Sequence, residues 1–343
     1  MNSLTPTEKT RAPSSPRTEG RRPPLAGPPL FSVIMPIYNG SQFLGEALAS
    51  LRAQTPFEGG YEVIAADDGS TDGSRELLEE AAKTLPLRII EGARTGNWVA
   101  STNKAMREAK GSFILHLHQD DRYRPGRLRT LAAAIAAHPD HGFFVNATAF
   151  VGSDGRNLGL WRPGMSAGYQ SPADACARLL VQNTFAVPGV CFRRALLDEA
   201  GFMDDTWRYT GDWDHWLRLA LREGVMVLPD VLSEFRVHGG SQTVGFAERI
   251  AAMRKELEAV LALHRDAVLA LLPPGRRQKW RRLARLGVET NVFLASAGTG
   301  GSARWKPFLR ALFGCPPHEW FLYARYAALV ARSLARVRAG FLG

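Results

Sequence analysis

The feature of this chain that most constrains its fold is an alternation of apolar runs and amphipathic segments between residues 31 and 150. The runs at 31–35, 61–66, 87–90, 112–117 and 142–150 have the length and composition of buried strands. The segments at 41–53, 75–83, 98–109 and 128–137 repeat their apolar residues at helical spacing. Strands that alternate with helices predict an α/β fold with a mostly parallel central sheet flanked by helices.

Composition divides the chain into three parts. Residues 1–29 are rich in Pro, Arg, Ser and Thr and predict a disordered basic tail. We expect one catalytic domain over 30–245 and a basic, mainly helical region over 246–343. The net charge of +10 resides in the two ends, because residues 31–250 are net negative. A nucleic-acid enzyme more often carries its basic patch around its site, so we expect no nucleic-acid partner.

The three cysteines are widely spaced, which favours a reducing compartment over a disulfide framework or a zinc site. The first 30 residues lack the apolar core of a signal peptide. No run of about 18 uncharged apolar residues indicates a spanning helix. These observations predict a cytoplasmic protein.

Polar clusters follow the predicted strands, at the edge where parallel sheets bind ligands. After the first strand, Tyr38 is placed to stack on a base, with Pro36 and Asn39 beside it, although an ordinary turn explains the same residues. After the second strand, the carboxylates of Asp67 and Asp68 can accept hydrogen bonds from a nucleobase or from ribose hydroxyls. These residues are also typical of a capped helix start, and the two interpretations are compatible.

The run at 112–117 is followed by two adjacent carboxylates, Asp120 and Asp121. Carboxylates at the end of a buried strand need a positive partner. A divalent metal that carries a phosphorylated ligand is the usual partner at such a strand end. Carboxylate and diphosphate oxygens form the shell that Mg²⁺ or Mn²⁺ prefers. The alternative is a solvated turn in which Arg122 and Arg124 pair with the carboxylates.

Two further clusters lie downstream. Asp212 and Asp214 begin a predicted helix beside Trp213, and either carboxylate can serve as a general base in a partly apolar, sugar-binding site. Acidic residues also favour the first turn of any helix. Arg236 and His238 offer a cation and an imidazole for a phosphate, and His238 also offers a metal ligand. A glycine turn with solvated side chains is the alternative there.

In this order the motifs resemble those of family-2 glycosyltransferases with the GT-A fold. The resemblance spans roughly residues 31–243 and is carried by FSVIMPIYNG at 31–40, ADDGSTD at 66–72, HQDD at 118–121, PGVCFRR at 188–194, AGF at 200–202, GDWDHWLRLA at 211–220 and FRVHGGS at 235–241. It implies that Pro36 and Tyr38 lie against the nucleotide. It also implies that Asp68 contacts the base, usually uracil, with Asp67 as a helper.

The resemblance implies roles for the later motifs too. Asp121 matches the metal-ligating carboxylate, and Asp120 matches its neighbour toward the ribose or the sugar. Asp212 matches the catalytic base of the inverting enzymes, and His238 matches a histidine sometimes found near metal or diphosphate. Asn103 is the one residue that fits the Arg-Asn segment many members carry before the fourth strand.

The chain also departs from the family pattern. His118 stands where many members have a further carboxylate, and Gly211 replaces the Glu of the common Glu-Asp pair, which leaves Asp214 as a competitor of Asp212. The Gln-x-x-Arg-Trp motif of processive members is missing, since the nearest segment, at 301–305, begins with glycine. This difference predicts transfer of a single sugar.

The sequence therefore predicts an inverting glycosyltransferase that uses a nucleotide-diphosphate sugar, with a UDP-sugar favoured. We expect the acceptor to be a glycan or a lipid-linked hydroxyl in cell-envelope polysaccharide, glycolipid or glycan synthesis. The main alternative is a non-catalytic nucleotide-sugar binding protein on the same fold. A nucleotidyltransferase would need a glycine-rich and basic loop after the first strand, whereas residues 36–40 hold one glycine and no basic residue.

Residues 304–343 interleave aromatic side chains with Arg and Lys. This pattern is typical of amphipathic helices that lie on an anionic membrane surface, here the inner face of the membrane. It is equally typical of a helical cap on the catalytic domain or of an oligomer interface. Both interpretations stay open at this point.

Overall fold

The computed structural model describes residues 27–91, 93–240, 249–298 and 305–326, so most of the predicted tail at 1–29 lies outside it. The strands are β1 (Phe31–Ile37), β2 (Tyr61–Asp67), β3 (Leu87–Ile90), β4 (Phe113–His116), β5 (Arg122–Tyr123), β6 (Phe143–Val151), β7 (Asn157–Trp161), β8 (Gly168–Gln170), β9 (Val190–Arg193) and β10 (Val225–Arg236). The helices are α1 (Ser41–Arg52), α2 (Ser74–Ala82), α3 (Trp98–Arg107), α4 (Arg127–Ala137), α5 (Pro172–Val181), α6 (Leu196–Ala200), α7 (Gly211–Glu223), α8 (Ile250–Ala270), α9 (Pro274–Gly298), α10 (Trp305–Phe313) and α11 (Pro317–Tyr326).

The described strands form one sheet in the order β3-β2-β1-β4-β9-β6-β10-β5, with β7 paired to β6 and β8 to β10. Strands β3, β2, β1 and β4 are parallel. Strand β9 runs antiparallel to both β4 and β6, and β10 runs parallel to β6. Six strands therefore point the same way, and their carboxyl ends share one edge of the sheet. This edge is where the polar clusters of the sequence meet.

Strands β1 and β4, in the first half of the sheet, are buried on both faces. Every residue of β1 and β4 is buried, which is why these strands are continuous apolar runs rather than alternating ones. Ile34 and Ile114 belong to one apolar core, and their neighbours Val33 and Leu115 belong to the other, because successive side chains point to opposite faces. The predicted α/β architecture follows from this two-sided burial.

The second half differs from the expected elements. Strands β7 and β8 and helices α5 and α6 were not predicted individually, because the apolar pattern loosens after Phe150. Strand β5, earlier in the chain, has only two residues. The apolar segments at 225–228 and 232–237 predict two short strands, but the structure has the single strand β10 there. Its register against β6 shifts between Leu228 and Ser233, around Pro229, which has no N–H to give to the sheet.

Helices α8 and α9 pack against α5 and α7. Leu257 and Val260 of α8 and Leu283 of α9 lie in the same apolar core as Trp216 of α7. The boundary predicted at 245/246 stays a prediction, and residues on both sides of it share one core. None of the helices within the described ranges is long and apolar enough to span a bilayer.

Candidate active site

A cavity of about 640 Å³ opens at the carboxyl edge of the sheet. Eight of the predicted site residues line it, namely Pro36, Tyr38, Asn39, Asp68, Asp120, Asp212, Trp213 and His238. Four others lie behind its surface, namely Asp67, Asn103, Asp121 and Arg236. The structure thus brings the motifs of the first and the second half of the chain to one place.

The turn after β1 forms one end of the cavity. Gln119 fixes the backbone of Tyr38, since its Oε1 accepts the N–H of Tyr38 at 2.8 Å and its Nε2 donates to the carbonyl of Tyr38 at 3.0 Å. A Cβ at Gly40 would lie 2.5 Å from the Gln119 side chain, so only glycine admits this contact. The guanidinium of Arg94 covers the Tyr38 ring at 4.4 Å from its centroid. Sequence reasoning missed both Gln119 and Arg94.

The two carboxylates after β2 have different surroundings. Asp68 accepts hydrogen bonds from the N–H of Thr95 at 2.6 Å, from the Thr95 hydroxyl at 2.9 Å and from the N–H of Gly96 at 2.7 Å. Asp68 lines the cavity. Its hydrogen bonds hold the loop after β3 beside the cavity. Asp67 accepts from the N–H and the hydroxyl of Ser70. The turn-capping interpretation accounts for its contacts.

His118, Asp120 and Asp121 form a group whose potential ligand atoms all lie within 4.8 Å of one another. Asp121 is 1% exposed, and its Oδ2 has no hydrogen-bond partner among the described residues; the same holds for Nε2 of His118. Burial and the adjacent charge of Asp120 raise the pKa of Asp121 well above its ordinary value, although Arg236 acts in the opposite direction. These two atoms, Oδ2 of Asp121 and Nε2 of His118, can serve as metal ligands together with the carboxylate of Asp120, and this set fits a divalent cation.

The alternative, a solvated turn in which Arg122 and Arg124 pair with Asp120 and Asp121, does not match the ion pairs in the structure. Arg122 and Arg124 pair with Glu234 at 2.7 and 3.2 Å, and Arg122 also pairs with Glu46. Their charges are thus directed to residues other than the adjacent carboxylates. Sequence reasoning treated His118 only as a departure from the family pattern, although its place at the end of β4 was the signal for a third ligand.

The predicted role of Arg236 in binding phosphate requires correction. Its side chain is fully buried, where it donates to the carbonyls of Asp120 at 2.9 Å and Gly152 at 3.0 Å and pairs with Glu46 at 2.7 Å. Its backbone N–H donates to Oδ1 of Asp121 at 3.0 Å. Arg236 therefore positions the carboxylate pair from behind and stays out of the cavity.

His238 lies next to the group formed by His118, Asp120 and Asp121, which we call the metal-type group. Its Nε2 is 2.9 Å from Oδ2 of Asp120, and its ring packs on Phe43 at 4.7 Å between centroids. It reaches the group through Asp120, so direct ligation by His238 stays a prediction.

The structure separates the two candidates for the general base. Asp212 lines the cavity, with its carboxylate held by Asn183 at 2.7 Å and by the N–H of Trp213 at 2.8 Å. Asp214 is 2% exposed and points away, toward Nε2 of His264 at 2.7 Å and Nη2 of Arg218 at 2.8 Å. Of the two carboxylates, only that of Asp212 faces the cavity.

Asp214 connects α7 to α8. Burial alone would raise its pKa, but the hydrogen bond from His264 and the charge of Arg218 lower it. We expect Asp214→Asn to lower the free energy of unfolding by about 1.5–3 kcal/mol, the usual worth of hydrogen bonds to a charged group. Urea denaturation followed by fluorescence measures this. Asp198→Asn, at an exposed position of α6, is the control. Equal stability of the two variants would contradict the role of Asp214 in connecting α7 to α8.

The predicted contact of Asn103 with the donor also requires correction. Asn103 is 3% exposed, and its amide makes two hydrogen bonds to the backbone of Met203, at 2.7 and 3.0 Å. It fixes the loop that leads to α7 and does not line the cavity. Trp213 does line it, with its indole N–H donated to the carbonyl of Leu179 at 2.7 Å, so its body forms a wall of the cavity.

Comparison with known proteins places this geometry in a family. A family model described as "Glycosyl transferase family 2" matches residues 32–199. Residues 32–199 are those of a family-2 glycosyltransferase. Together with relatives named as glycosyltransferases, this match confirms the expected transferase class.

The curated relatives match different shares of the chain. An uncharacterized glycosyltransferase, YwdF of Bacillus subtilis, is 28% identical over 228 residues, which are 66% of this chain and 80% of that protein. The poly(ribitol-phosphate) beta-N-acetylglucosaminyltransferase TarS of Staphylococcus aureus is 33% identical over 109 residues. That match covers 32% of this chain and 19% of TarS.

Solved structures share the fold of this glycosyltransferase. TarS residues 1–349 in complex with UDP-GlcNAc superpose with a TM-score of 0.60 at 19% identity, over 90% of this chain and 89% of that chain. The mannosyltransferase PcManGT from Pyrobaculum calidifontis, in complex with GDP-Man and Mn²⁺, gives a TM-score of 0.52 at 19% identity, over 93% and 90% of the two chains. The predicted fold class, a GT-A-type α/β fold with a helical C-terminal region, is confirmed.

Proposed function

We propose that this glycosyltransferase transfers a single sugar, with inversion, from a nucleotide-diphosphate donor to an acceptor hydroxyl. The observation that carries the proposal is the shared cavity. Tyr38 and Asp68 line one part of it, His118 and Asp120 another, and Asp212 a third. A base site, a diphosphate-and-metal site and a general base are the three parts that such a transfer needs.

We propose that the donor is a UDP-sugar. The exposed ring of Tyr38 offers a stacking surface, and the carboxylate of Asp68 offers hydrogen-bond acceptors to a base. TarS supports a uridine nucleotide, since it is both a sequence relative and a structural neighbour solved with UDP-GlcNAc. We propose an acceptor hydroxyl on a glycan or a lipid-linked polymer, in cell-envelope polysaccharide, glycolipid or glycan synthesis.

We propose Mn²⁺ or Mg²⁺ as cofactor, held by Asp121 with Asp120 and His118, and with His238 beside them. When bound, such an ion offsets the negative charge of the departing diphosphate. The Mn²⁺ in the PcManGT complex supports this choice. The buried Oδ2 of Asp121 supports it independently, because it lacks a hydrogen-bond partner among the described residues.

In the proposed mechanism Asp212 removes the proton of the acceptor hydroxyl as that oxygen attacks the anomeric carbon of the donor. The bond between this carbon and the diphosphate oxygen breaks on the opposite face, and its electron pair leaves with the nucleoside diphosphate. Asn183 and the N–H of Trp213 orient the two oxygens of Asp212.

A donor panel tests the proposal. Melting temperature and nucleotide release are measured with UDP-, GDP- and dTDP-sugars, in Mn²⁺, in Mg²⁺ and in EDTA. We expect a UDP-sugar to raise the melting temperature in Mn²⁺ but not in EDTA, and to be hydrolysed slowly without acceptor. Binding without any release would support the non-catalytic alternative. No binding of any nucleotide sugar would contradict the proposed donor class.

We propose a cytoplasmic location with peripheral membrane contact through residues 251–343. In α10 and α11 the side chains of Trp305, Phe313 and Phe321 are 52, 69 and 79% exposed. Lys306 and Arg310 lie on α10 with them. Aromatic side chains beside basic ones suit an anionic bilayer surface. Helices α8 and α9, in contrast, form a cap on the catalytic domain, and residues 327–343 lie outside the described chain.

We expect the double variant Phe313→Asp, Phe321→Asp to lose most of its binding to anionic phosphatidylserine vesicles, because each change places a negative charge in the contact surface. Co-sedimentation measures the bound fraction. Leu263→Asp, at a position of α8 that is 61% exposed, is the control and should bind as wild type. Unchanged sedimentation of the double variant would contradict the membrane contact. Point variants are preferred to deletion because residues 250–298 belong to the core.

A further inference from the structure

We propose that Glu256 of α8 is a positioning residue for the transfer reaction, which fixes the segment that carries Asp212. The inference rests on the proposed role of Asp212 as general base. Glu256 lies outside the segment that the family model matches, and it belongs to the region that the sequence predicts to be separate from the catalytic domain.

The contacts of Glu256 converge on three successive residues. Its Oε1 accepts the N–H of Arg208 at 3.2 Å, and its Oε2 accepts the N–H groups of Tyr209 at 2.8 Å and Thr210 at 3.1 Å. The hydroxyl of Thr210 also donates to Oε2, at 3.2 Å. Bonds from several backbone N–H groups to one carboxylate are charge-assisted and stronger than neutral ones. The carboxylate thus holds this segment at four points.

This segment leads directly into α7. Thr210 is the N-cap residue of α7, and its own side chain does not cap the helix. The first N–H groups of a helix lack partners within it, and a negative charge near them is favourable. Glu256 supplies that charge from a different helix. Asp212 is the second residue of α7. By holding Thr210, Glu256 therefore fixes the start of α7 and with it the position of Asp212 at the cavity.

The other side of the same loop is tied to the nucleotide end of the cavity. The indole N–H of Trp98 donates to the carbonyl of Arg208 at 2.9 Å, and the Arg208 guanidinium donates to the carbonyl of Gly96 at 2.7 Å. The N–H of Gly96 in turn donates to Asp68. The loop at 208–210 is therefore hydrogen-bonded on one side to the proposed nucleobase site and on the other to α8. Arg208, Tyr209 and Thr210 all line the cavity.

Loss of Glu256 should therefore displace the general base without removing the donor site. A displacement of about 1 Å at a reacting group can lower a rate by about 10²-fold. Tyr38, Asp68 and the metal-type group have their own supports, so donor affinity should persist. The expected signature is a fall in kcat with little change in KM.

The experiment uses the full chain with Mn²⁺ and two probes, UDP-GlcNAc and GDP-mannose. We measure kcat and KM for nucleotide release, UDP affinity by calorimetry and the melting temperature. We expect Glu256→Ala to lower kcat by about 10²-fold. Glu256→Gln should lower it less, because an amide retains one acceptor oxygen. KM and UDP affinity should stay within about twofold of wild type. Glu258→Gln is the matched control, since Glu258 is an exposed residue of α8 that pairs with Arg254.

The outcomes separate this inference from the proposed function. A wild type that releases nucleotide from neither probe contradicts the proposed function and, with it, the role of Glu256. An active wild type with unchanged kcat in both Glu256 variants contradicts only the positioning role. A parallel loss of kcat, UDP affinity and melting temperature in both variants also contradicts it, because that pattern marks a general structural role.

Discussion

Replacement of Asp212 by Asn is expected to lower kcat for sugar transfer by about 10²–10⁴-fold, the usual contribution of a general base. Asn has nearly the same size and still accepts the N–H of Trp213, so the first turn of α7 should keep its conformation. It cannot take the proton of the acceptor hydroxyl at neutral pH. UDP affinity in Mn²⁺ should stay within about twofold of wild type, because a general base acts on the acceptor hydroxyl and not on the nucleotide.

A radiolabelled sugar-transfer assay together with calorimetry with UDP measures the two effects separately. Asp214→Asn is the matched control, since it changes the same residue type two positions away on the same helix. It should cost stability and leave the kcat of the folded fraction near wild type. If the Asp212 variant turned over at near the wild-type rate, or if the Asp214 variant showed the larger kcat loss, the assignment of the base would be wrong.

Replacement of Asp121 by Asn is expected to abolish metal-dependent donor binding. The amide still accepts the N–H of Arg236, but it has lost the charge that makes Oδ2 a strong ligand. We expect Mn²⁺ affinity to fall by at least about 10²-fold, since loss of groups that merely support a ligand already costs about 10–100-fold. UDP should then bind equally in Mn²⁺ and in EDTA. The metal-free variant should remain folded, because one of two adjacent carboxylates has become neutral.

Calorimetric titration of the protein with Mn²⁺ alone tests this role without reference to activity. His118→Ala should weaken Mn²⁺ binding as well, since His118 offers the third ligand atom of the group. Asp154→Asn is the control, because Asp154 is an exposed acid outside the group. If the Asp121 variant bound Mn²⁺ with wild-type affinity, Asp121 would not be a ligand of the metal.

The fold of the first half of the chain was predictable because β1, β4 and most of β2 are buried on both faces, whereas its helices are buried on one. Those two patterns differ in period, so β1 to β4 and α1 to α3 are visible in the sequence. Strands β5, β7 and β8 and helices α5 and α6 are not. Strands β5 and β8 have two and three residues, too few for any period, and they exist because β10 offers them a partner.

The site was predictable where the residue type and the strand end coincide, as at Asp68 and Asp120. It was not predictable where the direction of a side chain decides its role. Arg236 ends a strand as a phosphate ligand would, but its guanidinium turns into the protein toward Glu46. Glu256 was invisible because its partners are backbone N–H groups, which every sequence contains.

The shared core of α7, α8 and α9 has a consequence for how the enzyme is made. The ribosome releases the chain from its N-terminus, so the helix with Asp212 emerges before the helix with Glu256. Until α8 follows, the apolar residues of α5 and α7 that pack against it stay uncovered, and the loop at 208–210 lacks the carboxylate of Glu256. The nascent polypeptide therefore contains Tyr38, Asp68 and Asp120 before it contains Glu256, the residue that holds the loop leading to Asp212.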